Sequence, residues 1–111
     1  MLYLQAIFEE GSTITAARIA QSVPGKQAEA VAFAKEVAAY LKSKHGLEME
    51  LKMQIAGPVG RIGWLAVFNS LADYETAWNK ILADEGYHKI VAKAHGIFNP
   101  GHTHDSLWRS L

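Results

Sequence analysis

Cysteine is absent from the chain, which removes disulfides, thiol nucleophiles and cysteine-ligated zinc or iron–sulfur clusters together. A chain without disulfides suits a reducing compartment, and a cytoplasmic location is expected. A surplus of either charge is also missing: eleven Lys and Arg stand against eleven Asp and Glu. Nucleic-acid binding normally shows a basic surplus or a basic stripe, and neither is present, so no nucleic-acid partner is expected. A neutral chain has no field to keep its copies apart, so self-association is permitted. No apolar run approaches the ~20 residues that a membrane span needs. The opening "MLYLQAIFEEG" lacks the basic lead and small-residue cleavage site of a secretory leader. No membrane partner is expected.

What is present is ordinary globular composition, half apolar and a fifth charged over 111 residues. That length suits one domain and hardly two. A chain of this size buries roughly two thirds of its unfolded surface, giving a modest core that a second copy would enlarge. Residues 2–8, "LYLQAIF", read as a strand, either paired in a hairpin with the next or added to the core fold. "ITAARIAQ", 14–21, is a second short strand with small residues on both faces. A long helix is expected over 23–46, with Ala30, Phe33, Ala34, Val37, Ala38 and Leu41 at spacings of three and four. Gly46 closes it, with Lys44 and His45 in the last turn.

"LEMELKMQI", 47–55, alternates as a strand with Leu47, Met49, Leu51, Met53 and Ile55 on one side. "RIGWLAVFN", 61–69, is apolar on both faces and should be covered on both. Ser70 caps a helix whose inward stripe is Tyr74, Ala77, Trp78, Ile81 and Leu82. Gly86 should break or kink it, and a short helix should follow with Tyr87, Ile90, Val91 and Ala94 inward. "HTHDSLWRSL" finishes as a strand carrying Leu107, Trp108 and Leu111. From residue 13 the order is β-α-β-β-α-β, the ferredoxin-like arrangement of an antiparallel sheet with both helices on one face. Residues of the other face, Trp64 or Leu65 among them, then need cover. The simplest cover is the same sheet of a second molecule, so a homodimer is expected.

With that strand order, "VPGKQAEAVAFAKEV" and "GRIGWLAVFNSLADYETAWNKILADEGYHKIV" resemble the dimeric α+β-barrel superfamily, most closely its NIPSNAP-type branch. The resemblance implies two facing ferredoxin-like sheets and a pocket between sheet and helices in each subunit. Proteins of this architecture include cofactor-independent monooxygenases, haem-degrading oxygenases, small lactone isomerases and proteins without a known activity. The Asn/His/Trp constellation of the haem degraders does not map onto this sequence position by position, and no cofactor is expected. Fold likeness alone does not fix function.

Several side chains are candidates for chemistry. His102, His104 and Asp105 could hold zinc or non-haem iron, with His95 or His88 as a third ligand. They follow a Pro-Gly turn and lack a helical metal-binding motif, so the solvated-loop reading prevails and no metal is expected. His88 stands beside Tyr87 on the short helix. The resemblance makes it a candidate general base, and its alternative is an exposed helical histidine. Arg18 and Arg61 could hold a carboxylate or an enolate oxygen through their planar donor fork, or form ion pairs with Glu48 or Glu50. The ion-pair reading is the stronger.

Trp64, Tyr74, Trp78 and Phe68 could line an aromatic pocket, although they also fall at core periodicity. Ser12, Ser70 and Ser106 lack a nucleophile context. "GPVGRIG" opens a strand and is not a phosphate loop. The expectation is a homodimer that binds an aromatic or polyketide-like small molecule. Two readings stay open: a cofactor-independent monooxygenase or isomerase with His88 as base and Arg61 or Arg18 at the oxyanion, or a non-catalytic module that binds a ligand or partner.

Overall fold

The computed structural model describes residues 13–111. The strand expected over 2–8, and Ser12, lie outside the described residues. The elements are strand β1 (Ile14–Gln21), helix α1 (Gln27–His45), strands β2 (Glu50–Met53) and β3 (Arg61–Phe68), helices α2 (Leu71–Leu82) and α3 (Glu85–Val91), a 3₁₀ turn (Ala92–Ala94), and strand β4 (His104–Arg109). They form a four-stranded sheet in the order β2-β3-β1-β4, with every neighbouring pair antiparallel. This is the ferredoxin-like α+β arrangement that the element order predicts.

Helix α1 starts at Gln27 rather than at 23. Gly25 takes φ +84°, a left-handed conformation outside the helix, and Lys26 N–H closes a turn on the Val23 carbonyl. The far end follows the sequence closely. Gly46 adopts the left-handed conformation, its N–H bonds the Lys42 carbonyl, and Leu47 N–H reaches back to Leu41. Two of the helix's terminal carbonyls are thereby satisfied. Ala30, Ala34, Val37 and Leu41 are buried along the expected stripe.

Strand β2 is shorter than the alternation over 47–55 predicts. Its pairing with β3 runs only from Glu50–Leu65 to Met53–Ile62, after which residues 55–60 form the bends and turn that lead into β3. Met53 and Ile55 are therefore exposed, not inward. The break between the two later helices falls at Ala83–Asp84, ahead of Gly86. Asp84 caps α3 by accepting from Gly86 N–H at 2.9 Å, while Ser70 Oγ caps α2 from Asp73 N–H at 3.1 Å. Gly86 itself lies in the first turn of α3, where an added Cβ would collide with the Tyr40 hydroxyl. Leu82, expected inward, is exposed, whereas Ile81 is buried.

Two apolar clusters join the layers. Ala20, Ile62 and Trp64 of the sheet pack under Ala30 and Ala34. Val37 and Leu41 meet Ile81 and Tyr87 where the three helices converge. Trp64 is only 5% exposed and its indole N–H points at the Ala34 carbonyl at 3.4 Å. The expectation that Trp64 belongs to the uncovered face is thus corrected: side chains alternate along β3, and Trp64 shares the helix side with Ile62 and Ala66. The opposite face carries Ala17, Ile19, Leu65, Val67 and Trp108, as the strand register requires. The described helices leave it open, with Val67 63% and Trp108 65% exposed.

Candidate functional site

Between the helix side of the sheet and the helices lies a cavity of about 560 Å³ that opens to solvent. Its existence follows from residue sizes. The floor is made from Ala16, Ala20 and Ala66, whose small side chains take up little of the space between sheet and helices. Large side chains form the walls. Phe33, Trp64 and Phe98 meet edge to face at one end, with centroids 5.6–6.4 Å apart. Trp78 meets Tyr87 edge to face at 6.1 Å, and Phe68 meets Tyr74 at 5.4 Å. Such geometries are the favourable ones for aromatic pairs.

One polar corner interrupts this apolar lining. Arg18 of β1 lies opposite Asp105 of β4 in the strand register. The two close a bidentate pair, Nε donating to Oδ1 at 2.7 Å and Nη2 to Oδ2 at 2.8 Å. The guanidinium carbon sits 5.3 Å from the centroid of the Trp78 ring, a cation–π contact. Hydrogen bonding to Asp105 raises the Arg18 pKa above its ordinary value. The same bonds lower the Asp105 carboxyl below its ordinary value. Burial raises the Tyr87 phenol, against an opposing pull from Arg18. At neutral pH the corner holds one cation, one anion and one neutral phenol. A guanidinium has five N–H donors, so some remain beyond the pair.

The sequence-derived candidates divide cleanly by place. Arg18, Trp64, Tyr74 and Trp78 all line the cavity. His88 and Arg61 do not. His88 is exposed, and its Nε2–H donates to the Leu82 carbonyl at 2.7 Å. Successive helical residues are turned by about 100°, so with Tyr87 inward His88 faces outward. Arg61 pairs with Gln21 at the end of the sheet, on the face away from the helices. Arg18 does form an ion pair, but with Asp105; Glu48 and Glu50 engage Lys42 and Lys52 instead.

His104 and Asp105 are neighbours in β4 and project to opposite faces. Among the described residues no three His, Asp or Glu side chains are grouped so as to hold a metal ion. Asp105 as the partner of Arg18 and the Tyr87 hydroxyl escaped the sequence reading, as did Phe33 and Phe98 in the cavity wall. The sequence signal for the first is an opposite charge on the last strand. It becomes visible only once β1 and β4 are known to be adjacent.

The fold and its sheet–helix cavity define an α+β domain of the ferredoxin-like type. No family model matches the chain, and no curated protein sequence matches it significantly. Solved structures do share its fold. A NIPSNAP-like domain protein from Burkholderia xenovorans superimposes with a TM-score of 0.74 at 14% identity, over 87% of this chain and 84% of that one. A NIPSNAP family protein of unknown function from Agrobacterium tumefaciens gives 0.74 at 16% identity, over 89% and 88%. A conserved protein from Methanosarcina mazei gives 0.69 at 12% identity, over 94% and 98%. The chain therefore has the fold of NIPSNAP-like domains.

Proposed function

We propose that this protein is a ligand-binding NIPSNAP-like domain whose sheet–helix cavity takes a small, largely apolar aromatic molecule. The observation that carries this reading is the cavity itself: about 560 Å³, walled by aromatic rings over an alanine floor, with one polar corner at Arg18. Ligand sites characteristically combine an apolar lining with a few placed polar groups. The geometry favours binding over turnover. A cofactor-independent monooxygenase or isomerase that used His88 as its base would need that imidazole in the cavity, and it stands on the outer surface.

The proposal includes a homodimer formed across the open sheet face, because the described helices do not cover it and Val67 and Trp108 there are exposed. It also includes a single domain in a cytoplasmic setting, consistent with a cysteine-free chain. Among the described residues no helix is long and apolar enough to cross a membrane.

The test is calorimetric titration with 2-naphthol, using the wild type and Ala16→Phe, which fills the floor of the cavity. Saturable binding to the wild type that Ala16→Phe abolishes, with its fold intact by circular dichroism, supports the reading. Binding that survives in the folded variant, or no saturable binding at all, counts against it.

A further inference from the structure

The polar corner also constrains the charge of the ligand. Arg18 and Asp105 are the only charged side chains among the described residues that line the cavity, and they neutralise one another. A lone arginine in an apolar pocket would select a carboxylate, through the same bidentate fork that here holds Asp105. That fork is already occupied on its Nε and Nη2 side. A ligand carboxylate entering the corner would meet the remaining guanidinium donors, but also the full negative charge of Asp105. Its attraction and repulsion would largely cancel, while it still lost its hydration.

An uncharged group that donates and accepts side by side meets no such opposition. Its acceptor can face the remaining Arg18 donors. Its donor can face the unshared lone pairs of Asp105, each oxygen of which accepts only one bond from Arg18. The Tyr87 hydroxyl adjoins the same corner, since it interacts with Arg18. Trp78, with the guanidinium over its ring, and Phe68 and Tyr74 beside it supply flat surfaces for the rest of the molecule. We infer that the cavity selects an uncharged aromatic ligand bearing an adjacent hydrogen-bond donor and acceptor, as in a carboxamide or lactam, and discriminates against the corresponding carboxylate. This rests on the cavity being a ligand site, as proposed above.

The test uses two near-isosteric probes that differ in charge, 2-naphthamide and 2-naphthoate, titrated by calorimetry at neutral pH. The pair is partly open to water, with side-chain exposures of 39% for Arg18 and 57% for Asp105, so solvent screens its charges. The wild type should prefer the amide by about fivefold, the scale of an exposed charge interaction. Asp105→Asn removes the anion and should reverse the preference toward naphthoate. Arg18→Gln removes the cation and should weaken naphthoate further, which keeps the test decisive if Asp105→Asn fails to fold.

Equal affinities in the wild type, tighter naphthoate binding, or an unchanged preference in a folded Asp105→Asn protein would overturn the inference. Those results would leave the cavity standing as a binding site. Failure of both probes together with 2-naphthol would instead remove the binding reading itself.

Discussion

Arg18 and Asp105 are 87 residues apart in sequence, yet they face each other across adjacent strands with two hydrogen bonds of 2.7 and 2.8 Å. The pair ties β4 to β1 and forms the polar corner of the cavity. Both side chains are partly exposed, so their mutual stabilisation should be small, about 1 kcal/mol or less. A double-mutant cycle of Arg18→Ala and Asp105→Ala in urea unfolding measures it. A coupling several times larger would mean that the corner stabilises the fold more than such exposure allows.

Gly86 and Tyr40 give a prediction with an unusual sign. Gly86 is in a helix, where glycine to alanine normally stabilises by about 1 kcal/mol. Here an added Cβ would strike the Tyr40 hydroxyl, which donates to Asp84 Oδ2 at 2.7 Å. Gly86→Ala should therefore lower the thermal midpoint in the wild type and lower it less in a Tyr40→Phe background. Equal effects in both backgrounds would show that the hydroxyl is not the obstacle.

Asp84 should give the protein an acid-sensitive component of stability. Its carboxylate accepts from Tyr40 Oη, His45 Nε2–H and Gly86 N–H, and these bonds lower its pKa to about 2. The unfolded carboxyl titrates near ~3.9. As pH falls from ~4 towards ~2, the unfolded chain binds a proton that the folded one does not, and stability falls. The contribution is fully present above the unfolded value. Asp84→Asn should be less stable than the wild type at neutral pH and lose less stability on acidification through that window. Parallel curves for the two proteins would contradict the assignment.

The open sheet face should decide the assembly state. Val67 is 63% exposed there, so Val67→Lys should leave the isolated subunit folded while placing a charge in the proposed interface. Sedimentation velocity should show a dimer for the wild type and a monomer for the variant. A wild-type monomer, or a variant that still dimerises, would place no interface on this face.

Much of the fold was legible because it is written in local periods. The 3.6-residue stripe from Ala30 to Leu41 and the closing Gly46 identify α1 without any tertiary information. Gly86 was misleading as a break. A glycine can end a helix or admit a close neighbour, and only the position of Tyr40 shows that it does the latter. The alternation over 47–55 overstates strand β2, because it continues past Met53, beyond the reach of the β3 pairing.

In the site, Tyr74 and Trp78 are legible from the helical stripe, whereas β3 is apolar on both faces and its pattern alone does not say that Trp64 lies under the helices, nor that Arg18 opposite it does. His88 was drawn in by the resemblance, although its neighbour Tyr87 already occupied the buried side of the helix. The Arg18–Asp105 bond could not be read from the chain. It depends on a strand register fixed by the whole sheet.

The central claim, that the cavity beneath the helices is where a ligand sits, is tested most directly by a crystal structure of the protein with 2-naphthamide. The ring should lie against Trp78 between sheet and helices, with its carboxamide facing Arg18 and Asp105. Density for the probe on the open face beside Leu65 and Val67, with the cavity empty, would contradict it.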